Sequence, residues 1–121
     1  METLITETKR NHLSIVDQGF FFVKSGKTYY RVSLNEILYF AGEKEYVRIV
    51  TTSKKLLIYK RLKEVEEQLS LPFIRIHNSY IINLKHLEKV QDNHVYIAGV
   101  QVAVTDKFKE RFMTIIHHNI F

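Results

Sequence analysis

Two periodicities divide this chain. A two-residue alternation of apolar and polar positions, the mark of a pleated strand, covers most of it, and two stretches switch to helical spacing. FFFVK (20–24) and TYYRVS (28–33) flank a turn at Ser25-Gly26-Lys27. Their aromatic and β-branched side chains suit a pleated surface and predict a hairpin. ILYF (37–40) and YVRIV (46–50) lie on either side of Ala41-Gly42-Glu43-Lys44-Glu45, and LLIY (56–59) comes after the polar Thr51–Lys55 connection. That spacing predicts an antiparallel meander. From Arg61 to Leu69 the period changes: Leu62, Val65 and Leu69 recur at helical spacing, with Lys63 and Glu67 placed for an i,i+4 pair. This short helix must end before Pro72.

Alternation then returns. Val95 and Ile97 precede Ala98-Gly99, Val100, Val102 and Val104 follow it, and Asp92-Asn93 marks a further turn. At the end of the chain, Thr105 is placed to cap a helix whose first turn carries Asp106, and Phe108, Phe112 and Ile115 or Ile116 form its apolar stripe. Strands dominate, with two helices docked on them. Residues 1–18 are polar and mixed in charge, with Leu4, Ile5, Leu13, Ile15 and Val16 as scattered anchors. They read as a linker and entry segment ahead of one domain over 19–121.

Composition narrows the function classes. A chain of 121 residues, 45% hydrophobic, can bury one core but not two ordinary ones. Lys and Arg number 18 against 13 acids, for a net charge of +5, which favours polyanionic partners without selecting one. With no cysteine, disulfides, thiolate metal sites and cysteine nucleophiles are excluded, a composition that suits a reducing cytoplasm. There is no basic-then-apolar leader, and no apolar run approaches the roughly 20 residues that span a bilayer. The six histidines show no HExxH or other helical ligand spacing, so no metal site is expected, and His117-His118 reads as a helix-end feature. No serine sits in a G-x-S-x-G elbow and no acid pair stands out, so neither an enzyme nor a cofactor is expected.

The most informative stretch is 72–90. It places Arg75, His77, Asn78, Ser79 and Tyr80 in an otherwise apolar run. Alternation sends Phe73, Arg75 and His77 to one face and Ile74 and Ile76 to the other, with Asn78 and Ser79 at a bend. Asn pairs bidentately with adenine and Arg with guanine, while Ser and His can hold phosphate oxygens. The same residues also fit a plain turn in which His77 bonds a backbone carbonyl.

The pattern F-I-R-I-H-N-S-Y-I-I-N-L-K-H-L-E over 73–88 resembles the signature of the LytTR family, the mostly β, DNA-binding output domain of bacterial response regulators. The resemblance extends to L-N-E-I-L-Y-F-A-G-E-K-E-Y-V-R-I-V (34–50), L-K-E-V-E-E-Q-L (62–69) and V-A-V-T-D-K-F-K (102–109), roughly Gly19 to Ile116. It implies a mostly β fold of stacked antiparallel sheets, a β-β-β sandwich with two short helices. It also implies a cytoplasmic regulator that inserts loops into major grooves of direct-repeat sites, with a second protomer on the DNA and an upstream receiver domain in the full-length protein. This chain lacks the length for a receiver and is expected to be a fragment of such a regulator.

By that resemblance three segments meet DNA. Asn78 falls where the family reads bases, among Arg75, His77 and Ser79. The loop from Gly42 to Arg48 would enter a groove, with Lys44 and Arg48 on phosphates and Tyr46 on a base edge or methyl group. Its two acids, Glu43 and Glu45, oppose this unless each pairs with a neighbour, and charged turns of this kind are often merely solvated. The third segment is Thr105 to Lys109, where the family's base-reading arginine is replaced by Asp106, leaving Lys107 and Lys109 as the cations. A further basic cluster of Lys54, Lys55, Lys60, Arg61 and Lys63 fits either a phosphate track or a solvated sheet edge. Two other readings stay open: a protein- or RNA-binding module on the same scaffold, and a LytTR-like domain reduced to non-specific DNA binding. For the first, Phe20, Phe21, Tyr29, Tyr30, Tyr39 and Tyr46 would have to form an aromatic face, although their crowding among aliphatics places them mostly in the core.

Overall fold

In the computed structural model, which describes residues 18–121, the alternating segments form ten strands in three antiparallel sheets. In chain order they are β1 (Phe20–Ser25), β2 (Thr28–Ser33), β3 (Ile37–Glu43), β4 (Tyr46–Thr51), β5 (Lys55–Ile58), helix α1 (Leu62–Glu67), β6 (Phe73–His77), β7 (Tyr80–Asn83), β8 (Lys89–Gln91), β9 (His94–Ile97), β10 (Val100–Ala103) and helix α2 (Asp106–His117). The linker and entry strand expected over 1–18 lie outside the described residues, apart from Gln18, whose Nε2 donates to the Phe20 carbonyl at 2.8 Å.

The central sheet has the order β5-β4-β3-β7-β6, with the β1–β2 hairpin and the β8–β10 meander forming the other two. Apolar side chains cover both faces of this central sheet. On one face Phe40, Val47, Ile49, Phe73 and Ile81 pack with Val23 and Val32 of the hairpin and Leu62 and Val65 of α1. On the other, Tyr39, Ala41, Val50, Ile74, Ile76 and Ile82 pack with Val95, Ile97 and Val102 of the meander and Phe112 of α2. Burial on two faces explains why β3, β6 and β7 read as apolar runs rather than strict alternations. Phe112, fully buried, anchors α2 and contributes about 1.5–3 kcal/mol by leaving water.

Turn chemistry accounts for the meander. Asp92 and Asn93 both take positive φ, as do Ala98 and Gly99, which is the two-residue geometry that matches strand twist. Ala98 at φ 49° is the strained member, since it carries a Cβ into that region without the short polar side chain that lets Asp92 and Asn93 bond locally there. Asn83 is buried and fully used: its Nδ2 donates to the carbonyls of Ile37 (2.8 Å) and Leu34 (3.4 Å), and its Oδ1 accepts from the Lys85 amide (3.0 Å).

Several local expectations are corrected. The first helix is shorter than Arg61–Leu69, and Lys63 and Glu67 form no ion pair among the described residues. Instead Glu64 Oε1 accepts from the Arg61 amide at 2.9 Å, which closes the helix start. Thr105 makes no side-chain cap on α2; its backbone amide is bonded elsewhere. Tyr29, Tyr30 and Tyr46 are exposed rather than core, because a two-stranded hairpin and a loop each have one face that packs on nothing.

Candidate nucleic-acid interface

The three segments singled out in the sequence are joined by backbone hydrogen bonds. Because β3 pairs with both β4 and β7, the β3–β4 loop sits beside the β6–β7 loop, and the Gly42 amide donates to the Ser79 carbonyl at 2.8 Å. The Thr105 amide donates to the Ile76 carbonyl at 3.0 Å, which docks the start of α2 against the end of β6. Sequence separation hides both links.

Pairing of β6 with β7 shifts register between Arg75 and His77, so strict alternation ends there. A bulge of this kind re-aims side chains. Arg75 consequently does not project as a free reader. It is about 15% exposed, its Nη1 bonds Glu66 Oε1 on α1 at 2.9 Å, its Nε donates to the His77 carbonyl at 3.2 Å, and its Nη2 donates to the Asn78 carbonyl at 2.6 Å. The guanidinium also lies 5.5 Å from the Phe108 ring centroid. Arg75 is therefore a strut between both helices and the β6–β7 loop. Among the described residues the His77 ring bonds no carbonyl, in contrast to the plain-turn reading; its Nδ1 accepts from the Ser79 amide at 3.0 Å, and its ring packs edge-on to Tyr80. With the loop held on both sides, the Asn78 side chain is left exposed and Ser79 half-buried.

The β3–β4 loop resolves its own charge conflict. Glu43 pairs with Arg48 at 2.6 Å, and the Tyr59 hydroxyl donates to Glu45. Both acids thus have protein partners, and Lys44, exposed at the turn apex with φ 60°, has none among the described residues. Arg48 is half-buried and committed to Glu43, with its Nε buried and unbonded among the described residues. Tyr46 is exposed and stacks edge-on with Tyr59 at 5.2 Å. At the start of α2, Asp106 and Lys107 are exposed and Lys109 is half-buried, with the Lys107 ammonium 5.3 Å from the Phe108 ring.

Two contributors were not legible in the chain. Tyr59 ends an apolar run with no local sign that it meets Glu45 fourteen residues earlier, and Glu66 is one of three acids in a short helix until Arg75 selects it. The hydrogen bond to Glu45 holds the Tyr59 phenol above the ordinary tyrosine range. Because the folded value is raised, the stabilisation is complete below the ordinary phenol pKa and is lost as pH rises through the folded one. We expect Glu45→Ala to return the Tyr59 ring signals in a proton titration followed by NMR toward an ordinary tyrosine. An unmoved titration would show that the hydrogen bond does not hold Glu45.

The LytTr DNA-binding domain family matches this sequence over residues 27–117. The chain belongs to that family. LytTr relatives include the transcriptional regulatory protein LytR of Staphylococcus aureus strains N315 and USA300, each 39% identical over 71 residues. That match covers 53% of this chain and 29% of the relative, so the chain corresponds to under a third of the length of those regulators. A LytTr DNA-binding domain from Bacillus cereus has the same fold, with a TM-score of 0.70 at 18% identity, covering 81% of this chain and 96% of that one. The LytTR resemblance and the mostly β architecture expected from it both hold. Among the described residues no helix is long and apolar enough to cross a membrane, and no group of three or more His, Asp and Glu gathers as metal ligands.

Proposed function

We propose that this chain is the sequence-specific, double-stranded-DNA-binding output domain of a cytoplasmic transcriptional response regulator. Lys44 and Tyr46 of the β3–β4 loop, Asn78 and Ser79 of the β6–β7 loop, and Lys107 and Lys109 at the start of α2 enter major grooves or meet the adjoining phosphates, with no cofactor. Arg48, Arg75 and His77 act behind them by holding the loops in shape. The full-length protein carries a receiver domain upstream, and two protomers occupy direct-repeat half-sites. One observation carries this reading: three segments distant in sequence, each holding exposed groups suited to bases or phosphates, are hydrogen-bonded to one another on a rigid sheet.

The test is selection of duplexes from a random library, followed by titration of the selected duplex and a scrambled control. A repeated motif should emerge. Asn78→Ala should then cost about 1–3 kcal/mol and relax one base position, whereas Lys44→Ala should weaken all sequences alike and lower the salt slope by about 1. Asn78→Ala without effect on affinity or base preference would remove Asn78 from the interface, and uniform, steeply salt-dependent binding would leave only phosphate contacts.

A second reading draws on the hairpin. Its outer face exposes Phe22 and Tyr29, with Arg31 over the Phe20 ring at 4.5 Å and Lys24 over Tyr29 at 5.9 Å. Aromatics interleaved with cations form a stacking platform for single strands. Tighter binding of a single strand than of any selected duplex would favour it.

A further inference from the structure

The fold splits the basic cluster read along 54–63 into two groups at opposite ends of β4 and β5. Lys54 and Lys55 lie at the β4–β5 turn, where the Lys54 ammonium is held 5.5 Å over the Tyr30 ring. Arg61 and Lys63 lie at the other end, beside the β3–β4 loop, and line an open groove of about 480 Å³ together with Lys44, Glu45, Asn78 and Ser79. We propose that the first turn of α1 belongs to the DNA interface, with Arg61 and Lys63 each gripping a backbone phosphate across this groove from the loops that meet the bases. This rests on the DNA-binding reading above and adds an element to it.

Three observations carry the assignment. The helix is fixed to both loops: a Cβ placed on Gly42 would lie 3.4 Å from Leu62 Cβ, so α1 seats against β3 at the base of the β3–β4 loop. Arg75 joins Glu66 of α1 to the carbonyls of His77 and Asn78. The cations are available, since Arg61 and Lys63 are exposed and form no ion pair among the described residues, and Arg61 meets Glu64 only through its backbone. The carboxylate among these groove residues, Glu45, accepts from the Tyr59 hydroxyl, and it also borders a second hollow lined by Tyr59, Lys60, Glu64 and Arg61, so that Arg61 stands between the two. Helix and loops therefore move as one body, with an excess of positive charge between them. A phosphate held there would fix the register of the loops on the duplex without carrying sequence information.

The experiment compares two charge-matched double variants, Arg61→Gln/Lys63→Gln and Lys54→Gln/Lys55→Gln, titrated against the library-selected duplex over a series of salt concentrations. Groove contact predicts that the first variant lowers the slope of log K against log salt by about 2 and weakens cognate and scrambled duplexes by the same factor. The second should leave the slope close to that of the parent chain. Thermal melts establish that each variant is folded; should the first not fold, Lys63→Gln alone replaces it with an expected slope change of about 1. Equal losses from both double variants, or none from the first, overturn the inference while DNA binding by the loops stands. Absence of duplex binding by the parent chain overturns both.

Discussion

Arg75→Ala is expected to lower DNA affinity for every sequence by about tenfold or more, equivalent to about 1.4 kcal/mol, and to destabilise the fold by about 2–3 kcal/mol. The guanidinium bonds Glu66 and two loop carbonyls from a site about 15% exposed, so its removal leaves a half-exposed carboxylate and frees the loop that presents Asn78. Arg75→Lys should recover little, because an ammonium keeps the charge but lacks the planar fork that reaches three acceptors in different directions. Chemical denaturation and duplex titration together decide the matter. A strut lost weakens cognate and scrambled duplexes alike. If Arg75→Ala instead relaxed a single base position at unchanged stability, the residue would be a base reader and the strut assignment would fall.

Asn83→Leu is expected to cost about 3 kcal/mol of stability without changing the DNA affinity of the folded fraction. The replacement has the same number of side-chain heavy atoms as Asn but leaves the buried carbonyl of Ile37 and the weaker acceptor at Leu34 without their donor, and takes the acceptor from the part-buried amide of Lys85. Each buried unsatisfied group costs about 1–3 kcal/mol. For a domain of this size the loss is a fall in Tm of about 10–20 °C. Asn83→Asp should do no better, since it keeps the acceptor and turns a carboxylate toward two carbonyls. A melt within a few degrees of the parent would mean that the 3-10 turns at Leu34–Glu36 and Leu84–His86 hold without this side chain.

The two cases differ in how far they could be read from the chain. Arg75 drew notice because a cation in an apolar strand needs a purpose, and residue chemistry offered guanine as a partner. The tertiary structure answers with Glu66 and two carbonyls. Asn83 drew no notice, since it stands at the end of an apolar run where a turn residue is unremarked. Its role exists only because β7 lies beside β3, which brings the Ile37 carbonyl within reach across 46 positions.

The order of elements was legible because each depends on near neighbours. Alternation marked the strands, the change of period marked α1 and α2, and Gly26, Asp92-Asn93 and Ala98-Gly99 marked the turns. Membership of the LytTr family was legible as well, since the motif around Asn78 is local. What only the tertiary structure decided is which charges are spoken for. Glu43 and Glu45, read as obstacles to a nucleic acid, turn to Arg48 and Tyr59, and Arg75 turns inward, leaving Lys44 and Asn78 outward. The physical reason is range: the period of a segment is set within a few residues, whereas the partner of a charge is set by how distant elements assemble, with sheet order placing Gly42 against Ser79 and the docking of α2 on β6 placing Ile76 against Thr105, across stretches of chain that carry no signal of either meeting.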